Sequence, residues 1–229
     1  MNQPEPPDAE MTLDPPGSIA IVGAGPLGLE AALYGRFLGY DVVVLEAGVI
    51  GQNLYPLFSE VPPVLPDQCL SALAQSALAA QLEADPSASL TLPTTVEQWV
   101  QLGLEPLAQT DLLRGRVFAS TRITMIQPIV VEADEVGEDT TDLPSDFQLT
   151  SADDDGADEN RRVEAVILAT GNQCDIDVKL ESSCPYFFRI GGTGAANDVD
   201  LLEGRRQIAG IFAQLAGRSD LDLYRPRRV

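Results

Sequence analysis

Short apolar runs and helically spaced apolar residues alternate near the start of the chain. The run Ser18–Val22 ends at a glycine and predicts a buried parallel strand. Leu27–Leu38 carries apolar residues at helical spacing, and Gly39 is placed to end that helix. A second apolar run, Asp41–Leu45, predicts another strand. Together these segments predict a β-α-β unit.

The same patterns continue downstream with several strands and helices. Strands are expected at Arg116–Ser120, Arg122–Val131, Phe147–Thr150, Val163–Leu168 and Tyr186–Ile190. Helices are expected at Gln68–Ala84 and at Val199–Leu215, the latter with Asp198 as its N-cap. A further helix is expected to begin at Thr94 or Thr95 and to run through Trp99 to Ala108, with Pro106 bending or ending it. The segment Gly48–Pro66 is expected to be a loop. The predicted class is α/β, with a central parallel sheet, covering helices and an added antiparallel β-meander.

The domain organisation predicted from composition is a single domain over residues 17–217. Residues 1–16 are rich in proline and acidic side chains, which predicts a disordered tail and not a signal peptide. An acidic hairpin loop is expected at about 132–162, because residues 132–160 hold twelve acidic residues and no basic one. An exposed loop is the simpler interpretation of that segment, with calcium binding as the alternative. Residues 218–229 are expected to form a loose C-terminal tail.

Charge and residue usage exclude several functions. The chain has 35 Asp and Glu against 14 Lys and Arg, for a net charge of −21. Such a surface should repel nucleic acid and anionic membranes. Histidine is absent, which excludes a Ser-His-Asp triad, a His-ligated metal and a His base. No CxxC pair is formed by Cys69, Cys174 and Cys184, and this cysteine usage suits a reducing cytoplasm. No apolar run reaches the ~20 residues of a membrane span.

A glycine motif follows the first predicted strand. Gly23 allows a tight turn, Gly25 lets a diphosphate approach the backbone, and Gly28 lets helix and strand pack closely. The helix N-terminus offers N–H groups and a positive dipole end to phosphates. Glu46, at the end of the second strand, would bind ribose hydroxyls and repel a 2′-phosphate. FAD and NAD are therefore favoured over NADP, and the alternative is a glycine-rich turn in an α/β fold that binds no nucleotide.

Three segments resemble a known family. VGAGPLGLEAALYGRFLGYDVVVLEAG resembles the N-terminal signature of flavoproteins that bind two dinucleotides, VEAVILATGN resembles their second signature, and YFFRIGGTGAANDVDLLEGRRQIAGIFAQLAG resembles their closing segment. The middle segment LPTTVEQWVQLGLEPLAQTDLLRGRVFASTRITMI is similar to FAD-dependent oxidoreductases of the pyridine nucleotide-disulfide and flavin monooxygenase-like type. The resemblance covers most of the chain from Ser18 and implies a Rossmann-like FAD/NAD(P)-binding domain.

The resemblance also implies which residues bind the cofactor, FAD or alternatively NAD. Ile123 would lie near the adenine, Thr170 and Gly171 near the ADP half, and the segment from Gly51 would run toward the flavin. The full set implied is Gly23, Gly25, Pro26, Leu27, Gly28, Glu46, Ala47, Gly51, Gln52, Asn53, Ile123, Ala169, Thr170, Gly171, Gly191 and Gly192. Catalytic residues are not identified, since in flavoproteins the cofactor carries the difficult chemistry.

The chain departs from the resembled family at two places. Relatives carry an NAD(P)H domain between the second signature and the closing segment, where only the fourteen residues Asn172–Pro185 stand here. Many relatives place Asp at position 192 to hold the ribityl chain, so backbone N–H groups, Asn197 or Asp198 would have to substitute for it. The expected function is an FAD-binding oxidoreductase whose flavin is reduced by a small-molecule donor and reoxidised by an acceptor. Alternatives are a non-catalytic dinucleotide-binding module, or a subunit whose partner protein supplies the reductant site.

A few other side chains could contact a flavin or could simply pack in the protein. Cys174 follows the Ala-Thr-Gly turn and could approach a flavin, whereas Cys69 is expected to be a small core residue. Tyr55 and Tyr186 could flank the flavin ring, although ordinary packing is the simpler interpretation. Trp99 is expected in the core. Arg205 and Arg206 are expected to be surface charges.

Overall fold

A five-stranded parallel sheet forms the centre of the protein. The computed structural model describes residues 12–82, 91–129, 146–152, 158–171, 175–180, 184–192 and 201–225. The strands of the central sheet are β1 (Ser18–Val22), β2 (Asp41–Leu45), β3 (Val117–Phe118), β7 (Ala165–Leu168) and β9 (Phe187–Arg189), in the spatial order β3-β2-β1-β7-β9. All neighbours in this sheet run parallel. The chain builds outward from β1 first to one side and then to the other, so β1 and β7 flank a topological switch point, where open α/β sheets bind ligands.

A second sheet confirms the predicted β-meander. It contains β4 (Arg122–Pro128), β5 (Phe147–Ala152), β6 (Asp158–Val163) and β8 (Asp177–Val178), in the order β6-β5-β4-β8. The pairs β4–β5 and β5–β6 are antiparallel. The short β8 adds a parallel edge to β4, so the connection between β7 and β9 passes through this sheet.

Five α-helices lie in the described part of the chain. They are α1 (Pro26–Phe37), α2 (Ala72–Leu82), α3 (Val96–Trp99), α4 (Glu105–Ala108) and α5 (Leu201–Leu215). Thr95 caps α3 by accepting a hydrogen bond from the Gln98 backbone N–H at 3.2 Å. A π-helical turn, Val100–Leu104, joins α3 to α4 and directly precedes the segment with Pro106, which lacks a backbone donor. A short 3₁₀ helix, Gln52–Leu57, lies in the predicted loop, and a second one, Pro66–Gln68, begins at the last residue of that loop and extends beyond it. Within the described ranges, none of the helices is long and apolar enough to cross a membrane.

The strand predicted at Val163–Leu168 is in fact two strands in different sheets. Val163 ends β6, and β7 begins at Ala165. Between them, the Glu164 carboxylate accepts hydrogen bonds from the Ser18 N–H at 2.7 Å and the Ser18 hydroxyl at 2.9 Å. The loop expected at about 132–162 is also wrong where β6 lies, whereas β5 confirms the strand expected at Phe147–Thr150. The polar sequence of β6 concealed a strand that forms by pairing with β5. Residues 130–145 and 153–157, the rest of that loop, lie outside the described residues.

Parts of both predicted tails pack against the domain. Leu13 is buried, its N–H donates to the Leu215 carbonyl at 2.8 Å, and its carbonyl accepts from the Tyr40 hydroxyl at 2.9 Å. At the other end Leu221 is buried, and the backbone N–H of Leu223 donates to the Tyr34 hydroxyl at 2.9 Å. The expectations of a disordered tail to residue 16 and a loose tail from 218 therefore fail where these contacts form. Residues 1–11 and 226–229 lie outside the described residues.

A buried ion pair joins α1 to α5. The Arg205 guanidinium lies 3.1 Å from the Glu30 carboxylate, and their side chains are only 10% and 2% exposed. Glu30 also accepts hydrogen bonds from the N–H of Ser71 at 2.8 Å and from its hydroxyl at 2.6 Å. The prediction that Arg205 is a surface charge is therefore wrong. Arg206 is exposed as expected and pairs with Glu203 at 3.2 Å.

Candidate functional site: the loop between β1 and α1

Two glycines shape the loop of residues 23–28, called here the glycine-rich loop. Gly23 has φ +109°, a region that favours glycine, and an added Cβ would lie 2.8 Å from the Ala169 carbonyl oxygen. At Gly28 an added Cβ would lie 2.0 Å from the Gly23 carbonyl oxygen. Both positions therefore require glycine for close packing between the loop, α1 and the end of β7, as the motif predicts.

Gly25 differs from its neighbours because its Cβ position is open. It is the N-cap of α1 with φ −76° and ψ −176°, and no described heavy atom lies within 4 Å of an added Cβ. Pro26 occupies the first turn of α1, and no described side chain caps the helix. The N–H groups at the start of a helix lack intrahelical acceptors and attract anions. The space above Gly25 is therefore suited to a diphosphate.

The Glu46 carboxylate lies directly against this loop. One of its oxygens accepts the Ala24 N–H at 2.6 Å, and the other accepts the Gly48 N–H at 3.0 Å. The side chain is half-buried at the carboxyl end of β2. Each carboxylate oxygen has a second lone pair, which can accept a hydrogen bond from a ribose hydroxyl. The two backbone donors therefore hold the carboxylate beside the loop without exhausting its capacity.

The segment after Glu46 closes one side of the site. Gly51 has φ +68°, and its N–H donates to the Ala24 carbonyl at 3.1 Å, which ties this segment to the glycine-rich loop. The exposed Gln52 side chain accepts the Val49 N–H at 3.2 Å and therefore folds back on its own segment. Ala47 and Asn53 are exposed.

The Ala169-Thr170-Gly171 turn lies on the other side of the glycine-rich loop. The Ala169 N–H donates to the Val22 carbonyl at 2.8 Å, and its Cβ lies 3.3 Å from the Cβ position of Gly28. Gly171 has φ +64° and is exposed. The structure thus places this turn beside the loop, as the family resemblance implies.

Gly191 and Gly192 follow β9 at the same edge of the sheet. The Gly191 N–H donates to the Gln207 side chain at 2.9 Å, and an added Cβ would lie 3.3 Å from Leu27. Leu27 is buried against Gly204 of α5, whose Cβ position is 2.4 Å away, so its side chain packs in the core. Gly192 is exposed with φ +82°. Asn197 and Asp198 lie outside the described residues.

Ile123 lines a cavity beyond Glu46. The cavity has a volume of about 110 Å³ and lies between the ends of β2 and β3 and the second sheet. It is lined by Leu45, Phe118, Thr121, Ile123, Leu149, Ser151, Glu159 and Arg161. The Glu46 N–H donates to the Phe118 carbonyl at 2.9 Å, so the cavity adjoins the ribose-binding candidate. The sequence prediction included only Ile123, because the other lining residues come from strand ends that no local pattern brings together.

The two candidate tyrosines lie in different settings. Tyr55 is 43% exposed, and its ring packs against Phe58 with 4.4 Å between centroids. Tyr186 is buried just before β9, and its carbonyl accepts the Val166 N–H. That position is at the amino edge of the parallel sheet, opposite the glycine-rich loop, so Tyr186 cannot flank a ligand there. Burial raises its pKa, with smaller contributions from Glu164 and Asp14.

Of the described cysteines, Cys69 is buried and Cys184 is partly buried. Cys69 is 2% exposed, and burial raises its pKa to about 11 despite the Arg205 charge, as expected of a core thiol. Burial also raises the pKa of Cys184. Cys174 lies outside the described residues. Trp99 is fully buried, as predicted. Among the residues placed in the structure, none form a cluster of His, Cys, Asp and Glu that could hold a metal.

Among known proteins, the chain is similar to a number of solved structures. No family model matches the chain, and no curated protein matches it. Similar structures include the bacillithiol disulfide reductases of Bacillus cereus (21% identity, 68% of this chain, TM-score 0.43) and Staphylococcus aureus (15%, 71%, 0.47). Another is OTEMO in complex with FAD and NADP (17%, 71%, 0.45). The chain spans 40% and 43% of the two reductases and 26% of OTEMO.

Proposed function

We propose that this chain binds FAD and serves as the flavin-binding part of an oxidoreductase. The observation that carries the proposal is the open space above Gly25 at the start of α1, with the Glu46 carboxylate held 2.6 Å from the neighbouring Ala24 N–H. These groups match the two ends of an ADP moiety, since N–H groups bind the diphosphate and the carboxylate binds the ribose. Both lie at the switch point beside β1 and β7.

The site extends in two directions from the glycine-rich loop, which favours a long dinucleotide. The cavity beyond Glu46 would receive the base of a nucleotide whose ribose binds the Glu46 carboxylate. Gly191 and Gly192 follow β9 at the same sheet edge and expose main chain on the opposite side, where the second half of the dinucleotide would lie. The Glu46 carboxylate would repel a 2′-phosphate, so FAD or NAD suits the site better than NADP.

The protein groups have simple roles in this proposal. The backbone at Gly25 and the first turn of α1 bind the diphosphate, Glu46 orients the ribose, and the glycines after β9 leave room for the flavin half. Bound FAD would supply the electron transfer between a reduced donor and an acceptor.

One observation favours a second candidate, a dinucleotide-binding module that turns over only with a partner protein or not at all. Between Gly171 and Cys184 the chain has twelve residues, and the described part of them forms β8 and adjoining segments. A reductant-binding domain of ~100 residues cannot be built from this connection. A partner protein would then have to supply the nicotinamide site.

Binding is tested by titrating the purified protein with FAD and with NAD and recording absorbance, heat and thermal stability. Gly25→Val should weaken FAD binding at least about tenfold, roughly 1.4 kcal/mol, because the side chain enters the diphosphate space. Its melting temperature without ligand should stay near that of the wild type, since the backbone at Gly25 is extended and the space is open. Gly210→Ala is the control, because Gly210 lies on exposed α5 surface and its Cβ also meets open space.

Two outcomes separate the candidates. Anaerobic reduction of bound FAD by NADH or NADPH would support the complete oxidoreductase, and reduction only when a second protein is added would support the partner-dependent module. A wild-type protein that binds neither FAD nor NAD, or a Gly25→Val variant that binds as well as the wild type, would refute the site.

A further inference from the structure

A charged residue stands at a position of β6 that faces inward. Along β6, Val163, Arg161 and Glu159 share one face of the sheet, because side chains alternate in a strand. Val163 is buried, whereas Arg161 is half-buried and borders the cavity of about 110 Å³ beside Leu45. An arginine on the inner face of a strand requires an interaction partner for its guanidinium, because burying the charge without one costs free energy.

The Arg161 guanidinium lies over an aromatic ring at the mouth of this cavity. Its central carbon is 5.1 Å from the centroid of Phe118, which is 37% exposed. A planar guanidinium stacks on flat π systems and is more weakly hydrated than an ammonium group. The pair Phe118 and Arg161 therefore offers a stacking surface to a flat ring that enters the cavity.

The cavity is placed to receive the base that belongs to the ribose at Glu46. Phe118 accepts the Glu46 N–H through its carbonyl, and Thr121 donates its N–H to the Glu46 carbonyl at 2.7 Å. Leu45, Ile123 and Leu149 give the cavity apolar patches, while Thr121, Ser151 and Glu159 bring polar atoms, and polar atoms form the larger part of its lining. The apolar patches can pack against a purine ring, and the neighbouring polar groups can form hydrogen bonds with its edge.

We propose that Arg161 determines the affinity of this site for adenine by stacking its guanidinium on the base held in the cavity beside Phe118. This inference rests on the proposed binding of FAD, and it assigns the base-binding role to a side chain of the second sheet. It requires planarity as well as charge, since Lys at the same place would keep the charge without the stacking plane.

The test measures the dissociation constants of FAD and of ADP by calorimetry for wild type, Arg161→Ala, Arg161→Lys and Arg162→Ala. Removing a stacked partner of a base typically costs enough to weaken binding about tenfold. Arg161→Ala should therefore weaken FAD and ADP by the same factor of about ten, and Arg161→Lys should recover only part of that loss. Arg162→Ala is the matched control, because Arg162 is the next residue on the outer face, 62% exposed and paired with Asp146 at 2.5 Å.

The binding of inorganic pyrophosphate distinguishes stacking of Arg161 on the base from a purely structural role of Arg161. Pyrophosphate has no base, so Arg161→Ala should leave its affinity unchanged, whereas Gly25→Val should weaken it. The inference about Arg161 is overturned, while FAD binding stands, if Arg161→Ala binds FAD and ADP as tightly as wild type. It is overturned equally if Arg161→Ala weakens pyrophosphate binding by the same factor as FAD binding. If Arg161→Ala is unstable, Arg161→Lys decides the matter, and full ADP affinity in that variant also refutes stacking. Failure of the wild type to bind FAD would refute the proposed function itself.

Discussion

Arg205 and Glu30 offer a direct test of the packing between α1 and α5. The variant Arg205→Met keeps an apolar stem of similar length but removes the cation from a pair separated by 3.1 Å. Glu30, at 2% exposure, would then be a buried carboxylate that keeps its hydrogen bonds from Ser71 but has lost its cation. The Gln68 carbonyl would also lose its donor, the Arg205 guanidinium at 3.1 Å.

Removing one member of a buried ion pair costs about 3–5 kcal/mol of unfolding free energy, because the other charge is left without compensation. For a chain of this size, about 2–4 °C of melting temperature corresponds to 1 kcal/mol, so Arg205→Met should melt roughly 6–20 °C lower. The assay is urea denaturation followed by circular dichroism, with a thermal scan beside it. Arg206→Met is the control, since Arg206 is 76% exposed and its pair with Glu203 should be worth less than about 1 kcal/mol.

The double variant Glu30→Gln with Arg205→Met separates an unpaired charge from lost packing. Gln has an oxygen to accept the Ser71 N–H but carries no charge, so the double variant should be more stable than Arg205→Met alone. A loss below about 1 kcal/mol in Arg205→Met, or a double variant less stable than both single ones, would refute the assignment of the cost to a stranded buried carboxylate.

Three further predictions follow from the same structure. Gly28→Ala should reduce the unfolding free energy in urea denaturation by several kcal/mol, because the added Cβ would lie 2.0 Å from a backbone oxygen. The control Gly210→Ala should stabilise α5 by about 0.5–1 kcal/mol, and equal stabilities of the two variants would contradict this prediction. At pH 8 iodoacetamide should label Cys69 only after unfolding in urea, since burial raises its pKa to about 11, and rapid native labelling would be the contrary result. Burial raises the pKa of Tyr40 to about 12, so the contribution of the neutral Tyr40 hydroxyl to stability is complete below pH 10 and is lost as the pH rises through 12. In urea denaturation at pH 8 and 11.5, Tyr40→Phe should reduce the loss of unfolding free energy between the two pH values by of order 2 kcal/mol. An unchanged loss would refute the assignment to Tyr40.

The β1–α1–β2 unit could be read from the sequence because its causes are local. The apolar runs Ser18–Val22 and Asp41–Leu45 are strands with the predicted bounds, and Gly39 follows α1 with φ +92°. The glycine spacing likewise predicted the loop between β1 and α1. Each feature depends on residues within one turn or one strand, where periodicity and steric limits act directly.

Contacts between distant residues were decided only by the tertiary structure. The apolar run ending at Leu168 did not reveal that Val163 and Ala165 pair in different sheets, since the choice depends on partners in β5 and β1. The burial of Arg205 depends on Glu30, 175 positions away. The cavity between Phe118 and Arg161 also forms from strand ends far apart in sequence. Amino-acid order determines where strands and turns form, but a charge becomes buried or a cavity lined only when chain folding brings remote segments together, because burial is a property of the neighbours a residue acquires.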